Sequence, residues 1–128
     1  MKINRIHHIA IICTDYKKSK EFYVNKLGFS VLNETFREDR CSYKLDLEVG
    51  DTYQIELFSF QDSPKRRSYP EAAGLRHLAF EVDDIEEAVR ELTAKNIIVE
   101  DIRVDEVTGK KFTFFKDPDD LPLEIYER

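Results

Sequence analysis

An α+β fold of two similar βαβββ modules is what this sequence predicts, on three observations. A segment recurs in the second half, an amphipathic helix follows each copy, and three β-rich runs follow each helix. The recurrence is Ile6-His7-His8-Ile9-Ala10 against Leu75-Arg76-His77-Leu78-Ala79, with Asp15 matched by Asp84, all at an offset of 69. Ile55-Glu56-Leu57-Phe58 then matches Leu123-Glu124-Ile125-Tyr126 at an offset of 68. Register is thus kept to within one residue across a whole module, as internal duplication predicts.

Each half opens on an apolar, β-branched run, 5–13 and 75–82, that reads as a strand. In the first helix Asp15 is placed as N-cap, Tyr16, Ser19, Phe22, Tyr23 and Leu27 recur at helical spacing, and Gly28 ends it. In the second, Asp84 with Glu87 resembles a capping box, Ile85, Ala88, Val89 and Leu92 form the apolar stripe, and Asn96 ends it. Strands are predicted near 29–36, 41–48 and 52–60, then near 97–104, 110–116 and 122–127. Gly50-Asp51 and Asp117-Pro118-Asp119-Asp120 supply the turns before each last strand. The whole of 1–128 reads as one domain: a first module over about 1–60, a linker over 61–74 containing Pro64, Lys65-Arg66-Arg67 and Pro70, and a second module over about 75–128.

With 128 residues, 41% hydrophobic and 12% aromatic, the chain can bury roughly two-thirds of its unfolded surface without staples. A net charge of −6 repels phosphate backbones, so nucleic acid is not the expected partner. Cys13 and Cys41 lack the paired spacing of zinc or redox motifs and are read as free thiols. The start lacks a signal-like apolar stretch and no run reaches membrane-spanning length, so a cytoplasmic protein without membrane contact is expected.

Alternate strand residues share a face. His8 therefore goes with Ile6, Ala10 and Ile12, and the purely apolar Ile9, Ile11 and Cys13 turn toward the helix. His77 goes with Ala79 and Glu81, opposite Leu78, Phe80 and Val82. In the last strands Ile55 and Leu57, or Leu123 and Ile125, bury one side, leaving Glu56 and Glu124 on the other. All four polar groups face away from the helix layers. A lone strand histidine ordinarily satisfies a local polar contact, and either glutamate alone could be salt-bridged. A carboxylate among large apolar residues needs cationic compensation, however, and a metal would provide it. Two imidazoles and two carboxylates suit Ni²⁺, Co²⁺, Fe²⁺, Mn²⁺ or Zn²⁺ with coordination positions left over.

These residues, from His8-Ile9-Ala10-Ile11 to Asp117-Pro118-Asp119 and Leu123-Glu124-Ile125, resemble the vicinal oxygen chelate superfamily over essentially the whole chain. That resemblance implies cupped mixed sheets and one divalent ion held by His8, Glu56, His77 and Glu124. The chain further resembles the short bacterial glyoxalase I form, which implies Ni²⁺ or Co²⁺ as the favoured ion, a homodimer and a small-molecule substrate. Glu56 favours this branch, because related acyl-CoA epimerases carry Gln at that place. The fosfomycin-type thiol transferases and extradiol dioxygenases use two His and one Glu. The family's Asp-Pro-Asp-Gly turn reads Asp-Pro-Asp-Asp here, and Asp120 is expected to keep it intact in a left-handed conformation.

The reaction so implied is isomerisation of the thiol hemithioacetal of a 2-oxoaldehyde, such as methylglyoxal, with Glu124 or Glu56 as base. The alternatives are an epimerase, a thiol transferase, an extradiol dioxygenase or a non-catalytic small-molecule binder. Lys44 and Asp46 are placed on the ligand face, with Thr113 and Phe115 in the corresponding places of the second half and Phe112 and Phe114 in the core. His7 is assigned to the sheet edge. Lys65-Arg66-Arg67 reads as a solvated run, with a substrate carboxylate as the minority reading.

Overall fold

The computed structural model describes residues 1–128 as two compact units, Met1–Lys65 and Arg66–Arg128. The first unit runs β1 (Ile9–Cys13), α1 (Tyr16–Lys20), a π-helical continuation (Glu21–Lys26), β2 (Ser30–Arg37), a 3-10 turn (Glu38–Arg40), β3 (Ser42–Val49) and β4 (Tyr53–Ser59). Its sheet has the order β1-β4-β3-β2, with β1 parallel to β4 and the other pairs antiparallel. The second unit runs β5 (Leu78–Val82), α2 (Ile85–Ala94), β6 (Arg103–Val104), β7 (Lys111–Lys116) and β8 (Pro122–Glu127), in the order β5-β8-β7-β6. Both units are therefore βαβββ, as the repeat predicted. No helix is long and apolar enough to cross a membrane.

The helices begin where their caps predicted. Asp15 accepts the Lys18 N–H at 3.1 Å and Asp84 accepts the Glu87 N–H at 2.9 Å, each satisfying an amide with no partner inside the helix. The first helix then departs from the single α-helix expected up to Leu27. After Lys20 it widens into π turns, and the Leu27 N–H reaches back to Phe22 O at 2.9 Å. The widened stretch contains Phe22 and Tyr23, adjacent rings that are both buried. Such bulges occur mostly as local insertions into an α-helix. Gly28 ends the segment at φ +81°, and Asn96 plays that part for α2 at φ +61°, a conformation Asn tolerates better than most residues.

One sheet face in each unit is apolar and lies under the helix. In the first unit Ile11, Cys13, Leu45, Leu47, Ile55 and Leu57 are buried there, and α1 packs on β4. In the second, Phe115, Leu123 and Ile125 are buried together with Ile85 and Leu92 of α2. Of the strand expected over 97–104, only Arg103–Val104 pairs with β7, although the Glu100 N–H donates to Phe114 O at 2.9 Å. The turn before β8 is intact. Asp120 has φ +64°, and the buried Asp117 carboxylate accepts the Asp119 and Leu121 N–H groups at 2.8 and 2.9 Å. The stretch expected as a linker is folded from Arg66 onward. The Arg66 guanidinium donates to Ser68 Oγ and to the carbonyls of Leu75 and Arg76, and Ser68 Oγ donates to Asp120 O at 3.3 Å.

Glu34 of β2 is tied to the first helix. It accepts from Lys20 Nζ at 2.6 Å and from the Tyr16 hydroxyl. The Lys20 ammonium, and next the Tyr16 hydroxyl, hold Glu34 below its ordinary value of 4.5, while burial and this carboxylate push the Tyr16 phenol up. Because the folded carboxyl is the stronger acid, its contribution is present above pH 4.5 and is lost as pH falls through the lower folded value. Glu34→Gln should therefore lower the melting temperature at neutral pH, and the gap should close as pH drops below 4.5. The exposed pair limits the effect to about 1 kcal/mol or less. Paired thermal melts across pH check this, and a gap that widens in acid would contradict it.

Candidate metal centre

In the first unit the strand register decides which side chains meet. His8 stands one residue before β1, and Ala10 lies beside Glu56 in the parallel β1–β4 pair. The small alanine side chain leaves room over that carboxylate. His8 Nε2 is 3.3 Å from Glu56 Oε2, and the glutamate side chain is only 13% exposed. His7 Nδ1 lies 2.8 Å from His8 Nδ1, so Nε2 is the His8 nitrogen left to face the carboxylate. Exposed His7 thus holds its neighbour's ring rather than joining the pair.

The second unit repeats the arrangement. His77 stands one residue before β5, Ala79 lies beside Glu124, and His77 Nε2 is 3.1 Å from Glu124 Oε2 with that glutamate 12% exposed. Each histidine therefore lies beside the glutamate of its own unit. Within neither unit do three or more His, Cys, Asp or Glu groups gather in an arrangement that would hold a metal alone. Each unit offers a pair.

The surroundings of the two glutamates differ. Asp46 pairs with Glu56 across β3 and β4. Lys44 Nζ lies 3.2 Å from Glu56 Oε1 and 3.1 Å from Asp46 Oδ1. The latter is an ion-pair distance, but Asp46 Oδ1 is not aligned as a hydrogen-bond acceptor. Asp46 chiefly, and then Glu56, hold the Lys44 ammonium above its ordinary value against the opposing effect of burial. Lys44 and Asp46 thus occupy the ligand face, as expected. In the second unit the expected parity is wrong and is corrected. Thr113 and Phe115 are buried on the helix side, where the Thr113 hydroxyl donates to Glu100 O at 2.8 Å. Phe112 and Phe114 share the ligand face instead, Phe114 opposite Glu124 and Phe112 opposite Tyr126. The Phe114 ring meets His77 edge-on with centroids 5.2 Å apart. Glu56 therefore has a lysine beside it where Glu124 has phenylalanine.

The donors fit a divalent cation. Each pair sets an imidazole nitrogen and a carboxylate oxygen side by side, a combination suited to borderline first-row ions. Glu56 can offer Oε2 while Oε1 stays with Lys44. Cys13 is buried and Cys41 exposed, both as free thiols. Neither belongs to these pairs. The sequence also left unnoticed a cavity in the second unit, of about 360 Å³, that reaches His77 and Phe114 and is rimmed by arginines.

The model of the Glyoxalase/Bleomycin resistance protein/Dioxygenase superfamily matches residues 5–125. A Bacillus subtilis (strain 168) protein, "Uncharacterized protein YwkD", is 63% identical over 128 residues, covering 100% of both chains. The mitochondrial methylmalonyl-CoA epimerase of Homo sapiens is 31% identical over 98 residues, covering 74% of this chain and 56% of the epimerase. The crystal structure of the glyoxalase family protein from Enterococcus faecalis superposes with a TM-score of 0.92 at 51% identity, covering 99% of this chain and 100% of that one.

Proposed function

The chain belongs to the glyoxalase/bleomycin resistance protein/dioxygenase superfamily, and from that premise we propose a metal-dependent isomerase of the glyoxalase I type. Its substrate in this reading is the thiol hemithioacetal of a 2-oxoaldehyde such as methylglyoxal. The observation that carries it is the pair of His–Glu contacts, His8 with Glu56 and His77 with Glu124, at 3.3 and 3.1 Å.

His8, Glu56, His77 and Glu124 are the residues that would hold a divalent cation in this reading, Ni²⁺ or Co²⁺ by preference and Zn²⁺, Mn²⁺ or Fe²⁺ otherwise, and the ion would supply Lewis-acid polarisation to the substrate. Glu56 or Glu124 takes the proton from the carbon bonded to sulfur and returns it to the neighbouring carbon. Carbonyl and hydroxyl exchange places, a 2-hydroxyacyl thioester results, and no atom is gained or lost. His7 keeps the His8 ring turned toward Glu56, and Lys44 keeps one Glu56 oxygen occupied. Family relationship supports a homodimer as the working assembly.

The match to methylmalonyl-CoA epimerase favours one second reading, proton exchange at the 2-carbon of an acyl thioester. There one carboxylate removes the proton and the other returns it on the opposite face. One panel separates the two. Metal-stripped protein is reloaded with Ni²⁺, Co²⁺, Mn²⁺ or Zn²⁺ and offered methylglyoxal hemithioacetals, or acyl thioesters in deuterated water. Thioester formation that follows the metal supports the first reading, and deuterium uptake without it supports the second. Neither activity with any metal ends both.

A further inference from the structure

We propose that the cavity beside His77 is an anion-binding subsite, built by Arg67, Arg103 and Lys116, for a carboxylate or phosphate carried on the substrate's thiol portion. That this anion belongs to a substrate rests on the isomerase reading above; the anion site itself does not. All of the cavity's lining belongs to the second unit, and its volume of about 360 Å³ falls among ordinary small-ligand pockets.

Its charge runs against that of the chain. The whole protein carries −6, yet Arg66, Arg67, Arg76, Arg103 and Lys116 line this one concavity against only two carboxylates, Glu71 and Glu100. Those acids are already engaged, Glu71 with Arg76 at 3.5 Å and Glu100 with Arg103 at 3.2 Å. Arg66 is spent on backbone carbonyls. No carboxylate pairs with Arg67 or Lys116. Like charges gathered around one hollow repel one another, and an anion seated among them relieves that repulsion.

The site is also partly preorganised. The Arg103 guanidinium lies over the Phe112 and Phe114 rings, 5.0 and 5.5 Å from their centroids, and its ion pair with Glu100 steadies it further. A guanidinium held against aromatic rings keeps donors available for a carboxylate or phosphate without first ordering a loose side chain. Lys116 follows Phe114 by two residues on β7 and so projects from the same face. His77 borders the same cavity. A ligand whose reacting end reaches His77 and Glu124 therefore has its other end among these cations.

The test titrates the metal-stripped protein with succinate, inorganic phosphate and neutral succinamide by calorimetry. Wild type should bind at least one anion and not succinamide. Succinate alone identifies a carboxylate subsite, phosphate alone a phosphate subsite. Arg67→Gln combined with Lys116→Gln should weaken binding roughly tenfold or more, because two charge-assisted contacts are lost. Lys17→Gln with Lys18→Gln removes equal charge from exposed positions on α1 and should change affinity less than about twofold. Equal weakening by both double variants, or binding of neither anion, overturns the proposal. A second arm compares methylglyoxal hemithioacetals of mercaptosuccinate, phosphopantetheine and 2-mercaptoethanol. A wild-type preference in kcat/KM for an anionic thiol should shrink in the Arg67/Lys116 variant. Anion binding with no turnover of any adduct would defeat the isomerase reading and spare the subsite. Turnover with no anion binding or preference would do the reverse.

Discussion

Glu124→Gln is expected to lower isomerase kcat by roughly 10²- to 10⁴-fold at saturating Ni²⁺, the usual contribution of a positioned general base. Glu56→Gln is expected to weaken metal binding by about tenfold or more and to regain turnover as metal is raised. The asymmetry comes from Lys44, whose ammonium lies 3.2 Å from Glu56 Oε1, whereas Phe114 stands opposite Glu124. A carboxylate with one oxygen already engaged by a lysine is anchored, and suits a ligand that stays in place. Glu124 is free of that anchor and can turn from one carbon to the next. Lys44→Met should erase part of the difference by releasing Glu56. Metal titrations and kcat on the same preparations check all three variants. A Glu124 variant at full speed beside a metal-replete but inactive Glu56 variant would exchange the two roles, and full activity in both would remove the carboxylates from the reaction.

How far the sequence disclosed this site depended on how unambiguous each strand's alternation was. In β1 and the residue before it, Ile9, Ile11 and Cys13 form one apolar face while His8 and Ala10 fall on the other, so the first parity is the one that buries an apolar layer, and Ile11 and Cys13 are indeed buried. In β7 both parities offer phenylalanines. Lys111-Phe112-Thr113-Phe114-Phe115-Lys116 can bury Phe112 and Phe114 or Thr113 and Phe115, and hydrophobicity favours the wrong choice. Thr113 is buried because Glu100 O accepts its hydroxyl proton, a partner that lies thirteen residues away and is invisible to local pattern. The repeat held the answer. The offset falls from 69 between His8 and His77 to 68 between Glu56 and Glu124, and 68 carries Lys44 and Asp46 onto Phe112 and Phe114. A slip of one residue exchanges the two faces of a strand. The basic cavity was hidden for a different reason: Arg67, Arg103 and Lys116 come from a connecting segment and two strands, and only the fold gathers them. The π turns after Lys20 likewise have no periodicity of their own, since Phe22 and Tyr23 also fit an ordinary helical stripe.

Leu57→Ala should be the most destabilising single truncation in the first unit, at about 2–5 kcal/mol, a large part of the roughly 5–15 kcal/mol typical of a folded domain. Leu57 is 0% exposed and lies in the central ladder between Ile11 of β1 and Leu45 of β3, both of them buried. Removing its side chain leaves a cavity walled by apolar groups on paired strands that cannot close in without breaking ladder hydrogen bonds. Its counterpart by the 68-residue offset is Ile125, set between Phe80 and Thr113. Phe80 is only half-buried, so that neighbourhood has more freedom to relax, and Ile125→Ala should fall toward the lower end of the same range. Denaturant unfolding followed by far-ultraviolet circular dichroism measures both. The consequence for the site follows from adjacency: Leu57 and Glu56 are consecutive on β4, so collapse into the Leu57 cavity tilts the strand carrying the carboxylate that meets His8. Misplacement by an ångström can cost about 10²-fold in rate. Leu57→Ala should accordingly lose metal affinity even at temperatures where it remains folded. Native metal affinity in a folded Leu57→Ala protein would show that Lys44 and His8 hold Glu56 without support from the core beneath it.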